Sequence, residues 1–353
     1  LTRAAFEEKR SICETKSCLD FALWGGLTPD SLDHMEAMAD AGAIGFKAFM
    51  CPSGLDEFQD SNPFTLRKGM EIAARLGLPV AVHAEDPEII RQHQLDHPPQ
   101  SQDMRAWLDS RPIEAELSAI RIAIDLAGET GCDLHIVHVT CPEGIALVTE
   151  AKSHGVRVTA ETCPHYLFFH LEQIAEGDTR FKCAPPIRPA SEGWDLWQLI
   201  RNHPERWIIG SDHSPCPPSL KLLEEGDWSR AWGGISSLQL GLSLVHTLAQ
   251  RRGLLTLAEI SQMMSERPAR MAGLGLRKGS IAAGKDADLI GFDPAWRWSV
   301  KGGELEHRHK VTPYEAHELC GKVVRTWLRG EEIFREGAFS GAARGEFLLR
   351  KAP

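Results

Sequence analysis

Ala43–Ile44–Gly45–Phe46–Lys47–Ala48–Phe49–Met50 runs a lysine through an otherwise apolar stretch. A charged amine is costly there unless something neutralises or modifies it. Later stretches repeat the theme with other polar side chains: Val80–Ala81–Val82–His83–Ala84–Glu85, Leu134–His135–Ile136–Val137–His138–Val139, and Trp207–Ile208–Ile209–Gly210–Ser211–Asp212–His213. Each reads as a short apolar strand with a ligand-capable group toward its end. Four such groups at matching strand ends point to a metal site.

Working outward, the chain alternates short apolar strands with amphipathic helices, the pattern of βα units around a parallel sheet. Six strands are expected, at Leu19–Leu23, Ile44–Met50, Val80–Ala84, Leu134–Val139, Arg157–Glu161 and Trp207–Gly210. Between them, a helix is expected to start near Pro112, with Glu114 and Glu116 in its first turn and Leu117, Ile120, Ile124 and Ala127 on one stripe. The spacing predicts a further helix over Leu257–Leu274, after which strand and turn patterns take over, as in Ala287–Asp293 and Val323–Leu328. The expected division is an α/β barrel unit over 1–275 and a small β unit over 276–353. A (β/α)8 barrel needs eight strands, two more than are found. The chain opens at Leu1 inside a helix-like run, Thr2–Arg10, so the expectation is that the first two strands belong to an absent N-terminal part.

Composition narrows the function. A chain of 353 residues with 42% hydrophobic content can bury a large core. A net charge of −10 argues against nucleic acid and anionic membrane surfaces and for a small-molecule substrate. Nine cysteines without CxxC pairs or a secretory leader fit a reducing cytosol better than a disulfide framework. No apolar stretch approaches the roughly 20 residues that span a bilayer.

Side chains alternate faces along a strand, so His135 and His138, three positions apart, are expected to point to opposite sides. His138 is chosen as the inward one because it lies nearer the C-terminal end of its strand, where barrel enzymes keep their active sites. Lys47, His83 and Asp212 meet the same condition. Asp212 could merely cap a turn, but it opens the polar loop His213–Ser214–Pro215–Cys216, a natural place for a binding site.

Six motifs, in order, carry a resemblance: Gly45–Met50, Val82–Glu85, Ile136–Val139, Glu161–Thr162–Cys163–Pro164–His165–Tyr166, Lys182–Cys183–Ala184–Pro185–Pro186–Ile187–Arg188 and Gly210–Cys216. Together they are similar to the cyclic amidohydrolases, the superfamily of dihydroorotases, hydantoinases and allantoinases. Gly279–Leu289 looks like the point where such chains leave the barrel for a small β-sandwich. The resemblance implies two divalent metal ions, usually zinc, and a Lys47 that has taken up carbon dioxide as a bridging carbamate, N6-carboxylysine. It implies His83 and His138 as ligands of one metal, and Asp212 as ligand of the other and general base. The family's His-x-His pair on the first barrel strand has no counterpart here. His307 and His309 have that spacing but lie in the charged run Glu306–Lys310 and read as solvated or at an interface.

Departures within the superfamily choose a branch. Ser214 and Cys216 stand where dihydroorotases carry the alanine and second histidine of a His-Ala-Pro-His run, and Pro52 stands where hydantoinases place a tyrosine. The runs Lys47–Gly54, Asp212–Pro218 and Ala231–Gln239 look most like the allantoinases. That branch opens the neutral hydantoin ring of allantoin to allantoate in purine degradation. The resemblance makes Cys183 and Gly234 backbone partners of that ring and Ser214 a hydroxyl or backbone partner, while relatives are commonly homotetramers. Glycines at 233–234 could equally form only a turn, and Cys183 could be an inert thiol. A sibling hydrolase, or a scaffold relative that has lost its metals, is the alternative; the retained Lys47, His83, His138 and Asp212 argue against the scaffold.

Overall fold

The strand-and-helix alternation folds into one parallel sheet in chain order. In this computed structural model, which describes residues 1–96, 103–253, 255–341 and 343–350, the strands are β1 (Gly25–Gly26), β2 (Phe46–Phe49), β3 (Val80–His83), β4 (Leu134–Ile136), β5 (Val158–Thr162) and β6 (Ile208–Ile209). They pair side by side from β1 to β6, every pair parallel. The register aligns Phe46, Val80, Leu134 and Val158 in one row and Lys47, Ala81, His135 and Thr159 in the next. Phe46, Val80, Leu134 and Val158 are buried among the helices. Period-two alternation therefore sends the Lys47 row to the opposite, inner face.

The first expected strand is displaced. Leu19–Leu23 forms no strand of its own: it makes an isolated bridge between Phe21 and Phe347, its Leu23 carbonyl accepts the Ile44 N–H at 2.9 Å, and Leu19 is 50% exposed. The sheet pairing begins at Gly25 instead. There a side chain would meet the Phe46 ring at 2.8 Å, so the strand nearest the packed Phe46 is built of glycine where sequence periodicity favours a more apolar run.

The helix Ile113–Thr130 covers the outer face with Ala115, Ala119, Ile120, Ala123, Leu126 and Ala127. Ile120 and Ala127 lie on the expected stripe, whereas Leu117 and Ile124 are only half-buried. The alanines admit a closer approach to the sheet and turn that face inward. Glu116, expected in an ordinary first turn, is buried against Thr140 and Arg188. The expected Leu257–Leu274 helix is broken into Leu257–Ser261, a π-helical turn Gln262–Glu266, and Arg267–Met271. Pro268 has no N–H to donate, so an uninterrupted α-helical ladder cannot cross it.

The C-terminal part forms a second, antiparallel sheet from β7 (Leu289–Ser299), β8 (Glu318–Leu328), β9 (Glu331–Arg335) and β10 (Ala338–Phe339), in the order β10-β9-β8-β7. The helix Gly241–Arg252 fastens it to the barrel part: Thr247 Oγ1 accepts the Cys320 N–H at 2.8 Å, and His246 Nε2 lies 3.1 Å from the Pro294 carbonyl. A second tie is ionic. Lys278 Nζ reaches Asp20 at 2.5 Å, Asp286 at 2.6 Å and Asp288 at 2.5 Å, and Arg329 pairs with Asp20.

Candidate metal centre and substrate groups

Lys47 lies in the middle of β2 on the inner face. Its Nζ donates to the Ala48 carbonyl at 3.0 Å and sits 3.9 Å from the centre of the Phe49 ring. Burial lowers its pKa to about 7, against the opposing pull of negative charge at Asp212 and Glu161. A sizeable neutral fraction is thus available near neutral pH.

His83 ends β3, fully buried, with Nε2 at 2.7 Å from a Glu85 oxygen. Arg111 grips the same carboxylate through Nε at 3.0 Å and Nη2 at 2.7 Å. Burial opposes a charge on Glu85, but Arg111 and His83 overcome it and hold the carboxyl well below its usual range. An ionised acceptor at Nε2 places the ring proton there and leaves the Nδ1 lone pair for a ligand. Burial also depresses the His83 pKa, with Glu85 pulling the other way.

His138 corrects the alternation argument. β4 stops at Ile136, and His138 takes φ = 43°, a left-handed conformation uncommon outside glycine. That turn brings its ring 4.6 Å from the His83 ring, at 72°. His135, within the strand, faces the same interior, so both histidines point inward. Among the described residues His138 Nδ1 is buried without a hydrogen-bond partner, and burial together with His83 and Lys47 drives its pKa well below the ordinary value. Asp212, just past β6, is the second such turn, at φ = 41°. Asp212 is exposed as a residue, yet burial around its carboxyl group raises its pKa, with Lys47 opposing.

The sequence-derived set Lys47, His83, His138 and Asp212 is therefore gathered on one face, linked by the His83–His138 ring contact and by the Lys47–Asp212 attraction. These residues fit a metal centre: among the described residues, His138 offers a buried nitrogen without a hydrogen-bond partner, His83 a nitrogen freed by Glu85, and Lys47 an amine without a carboxylate within ion-pair distance. Among the described residues, the tight metal-capable groups of His, Cys, Asp and Glu are Cys51–His83–Glu85 and Asp20–Asp286–Asp288. The first contains His83; the second already surrounds the Lys278 ammonium. Sequence reasoning missed Glu85 and Arg111, and it missed Glu161, which lies on the inner face two residues beyond Thr159 with its carboxylate 3.3 Å from His135 Nε2. Counting in steps of two along β5 would have found Glu161. His307 is half-buried rather than solvated, its ring 5.5 Å from that of His213.

Cys183, Ser214 and Gly234 also converge. Gly234 has φ = 153°, and a Cβ there would fall 2.6 Å from Ser214 Oγ. Its N–H donates to the Lys182 carbonyl at 2.8 Å, so Gly234 supplies space beside Ser214 and not a free N–H. The Cys183 carbonyl accepts from Trp107 Nε1 at 3.1 Å. Burial raises the Cys183 thiol pKa to about 12, which makes its backbone the more useful part.

Residues 36–333 match the model of the amidohydrolase family. The chain is 42% identical to an allantoinase of Rubrobacter xylanophilus, over 98% of this chain and 75% of that protein. It is 41% identical to an allantoinase of Deinococcus radiodurans, over 99% and 77%. Among solved structures, the L-hydantoinase (dihydropyrimidinase) from Arthrobacter aurescens superposes with a TM-score of 0.93 at 31% identity, covering 99% of this chain and 78% of that one. A barrel sheet with polar groups gathered on its inner face, an antiparallel C-terminal sheet and similarity running almost end to end make this chain a member of the amidohydrolase family.

Proposed function

We propose that the protein hydrolyses the cyclic amide of allantoin to allantoate, with residues 1–275 as the catalytic barrel unit and 276–353 as part of a β-sandwich. The similarity to allantoinases at about 40% identity over nearly the whole chain carries this reading. Membership of the family implies a binuclear divalent metal centre. Zinc as the metal, a cytoplasmic location and a homotetramer belong to the same proposal. Among the described residues no helix is long and apolar enough to cross a membrane.

His83 and His138 would hold one ion, Asp212 the other, and Lys47 would bridge them as a carbamate. When bound, the metal pair supplies Lewis-acid polarisation of a carbonyl and a water acidic enough to lose a proton near neutral pH. The neutral Lys47 amine that burial favours attacks carbon dioxide, forming an N–C bond and releasing one proton; the product is an anion with two oxygens. Glu85 and Arg111 keep His83 oriented with Nε2 protonated. Asp212, its pKa raised from the ordinary value by burial, accepts the proton of the attacking water and returns it to the departing ring nitrogen. The Cys183 N–H and the Ser214 hydroxyl hold the ring by hydrogen bonds, which suits a neutral substrate better than a cationic clamp.

The structural likeness to a hydantoinase favours hydantoin as the second reading, while Pro52 lacks the phenol expected of that branch. Turnover of allantoin, hydantoin and dihydroorotate by the purified, metal-loaded protein separates them. Allantoin is expected to show the highest kcat/KM; a preference for either other ring overturns the assignment.

A further inference from the structure

Two lysines outside the proposed chemistry are buried behind the substrate groups. Lys182 and Lys221 are each 4% exposed, and neither pairs with a described carboxylate. Lys221 Nζ donates to the carbonyls of Gly234 at 2.6 Å, Trp232 at 3.0 Å and Lys182 at 3.3 Å. Lys182 Nζ donates to those of Ala231 at 2.7 Å and Ser229 at 3.2 Å, and lies 4.3 Å from the centre of the Trp107 ring. An ammonium has three donors and no acceptor, so inside a protein it imposes an orientation on the oxygens around it. Burial lowers both amines to about 8, which leaves them mainly charged at neutral pH.

The peptide joining Lys182 to Cys183 is the one that matters. Its carbonyl accepts from the Gly234 N–H at 2.8 Å and from Lys221 at 3.3 Å. A trans peptide is planar, so its N–H points opposite to its C=O. Holding the Lys182 carbonyl toward Lys221 therefore aims the Cys183 N–H away from the lysine, on a residue that feels the Asp212 charge. That N–H has no partner among the described residues. The next carbonyl, of Cys183 itself, is held by Trp107, so the donor is fixed from both sides.

We propose that Lys221, seconded by Lys182, is a positioning residue that fixes the Cys183 N–H as the hydrogen-bond donor to a carbonyl of a neutral cyclic amide. The inference deepens the allantoin reading and rests on it for the identity of the ring. It also explains why a neutral-substrate site has two cations behind it: they act on the protein's own carbonyls.

Lys221→Met keeps the side-chain length and removes the donors. The expected result is wild-type metal content, kcat within about threefold of wild type, and a KM for allantoin raised roughly tenfold, the loss of one hydrogen bond. Amide hydrogen exchange over 229–236, which needs no substrate, should accelerate by a similar factor. A lower melting temperature and lower kcat with unchanged KM and exchange would mean a structural role only and would overturn the proposal. If the wild type does not turn over allantoin, the substrate reading fails while the exchange arm still decides whether Lys221 holds the loop. Should Lys221→Met not fold, Lys221→Gln is measured in the same way. In wild-type protein carrying 15N-cysteine, the Cys183 amide resonance must move when hydantoin is added; a stationary resonance overturns the proposal with no variant involved.

Discussion

Lys47 and Asp212 attract each other across the inner face, one burdened as a cation by burial and the other raised as an acid by it. Burial makes the neutral Lys47 amine accessible for reaction and makes the Asp212 carboxylate a stronger base. If Lys47 carries the proposed carbamate, Lys47→Ala should lose most bound metal and nearly all turnover, and short carboxylic acids should restore part of the activity by occupying the vacated space. Metal analysis and turnover with and without propionate check this; two ions per chain and full activity in the variant would contradict the carbamate. Asp212→Asn keeps the size and removes the base. It should fold, retain metal at His83 and His138, and lose about 10²–10⁴-fold in kcat, the usual contribution of general acid–base transfer. Near-normal turnover would move the base to another group, and Glu161 would be the first to consider.

Among the elements, β2, β3 and β4 were legible because apolar runs of strand length carried one polar residue each. The strand before them was not, since Gly25–Gly26 is chosen by the close approach of Phe46 and no local pattern encodes that. That His135 faces inward together with His138 escaped for a related reason: alternation holds only while the strand lasts, and the left-handed turn after Ile136 resets it. Lys47, His83, His138 and Asp212 could be named from strand ends and family motifs, whereas Glu85 and Arg111 meet across 26 positions through folding alone. The covering helix Ile113–Thr130 offers a direct test of packing. Ile120 is fully buried and close enough to Gly144 that a Cβ there would touch its Cδ1 at 3.0 Å. Ile120→Ala should cost about 3 kcal/mol by loss of transfer energy and by the cavity left behind. Denaturant unfolding measures it, and a change below about 1 kcal/mol would show that this helix seam collapses to fill the space.

Across the whole molecule, Lys278 is the hub that joins the first residues to the last sheet, with Asp20, Asp286 and Asp288 around it. Burial disfavours the Asp20 charge, but hydrogen bonds from Arg329 and Lys278 outweigh it and hold the pKa below the usual value. A carboxyl depressed in the folded state contributes stability above its unfolded pKa, about 3.9, and loses that contribution as the pH falls through the lower folded value. Asp20→Asn should therefore destabilise the protein by about 1 kcal/mol at pH 7, the upper end for a solvent-screened pair, since Lys278 keeps Asp286 and Asp288 as partners. The difference from wild type should shrink as the pH is lowered below about 4. Thermal unfolding of both proteins between pH 3 and 7 reads this out, and a pH-independent difference would mean that Asp20 acts through packing. The same hub sets a timetable for the nascent chain. Asp20 accepts the Glu346 N–H across 326 positions, so at ribosomal speeds of about 5–20 residues per second it waits roughly 15–65 s for that partner to be made. Until then the carboxylate sits in water with its fold unfinished around it, and closure of the hub follows the synthesis of residue 346.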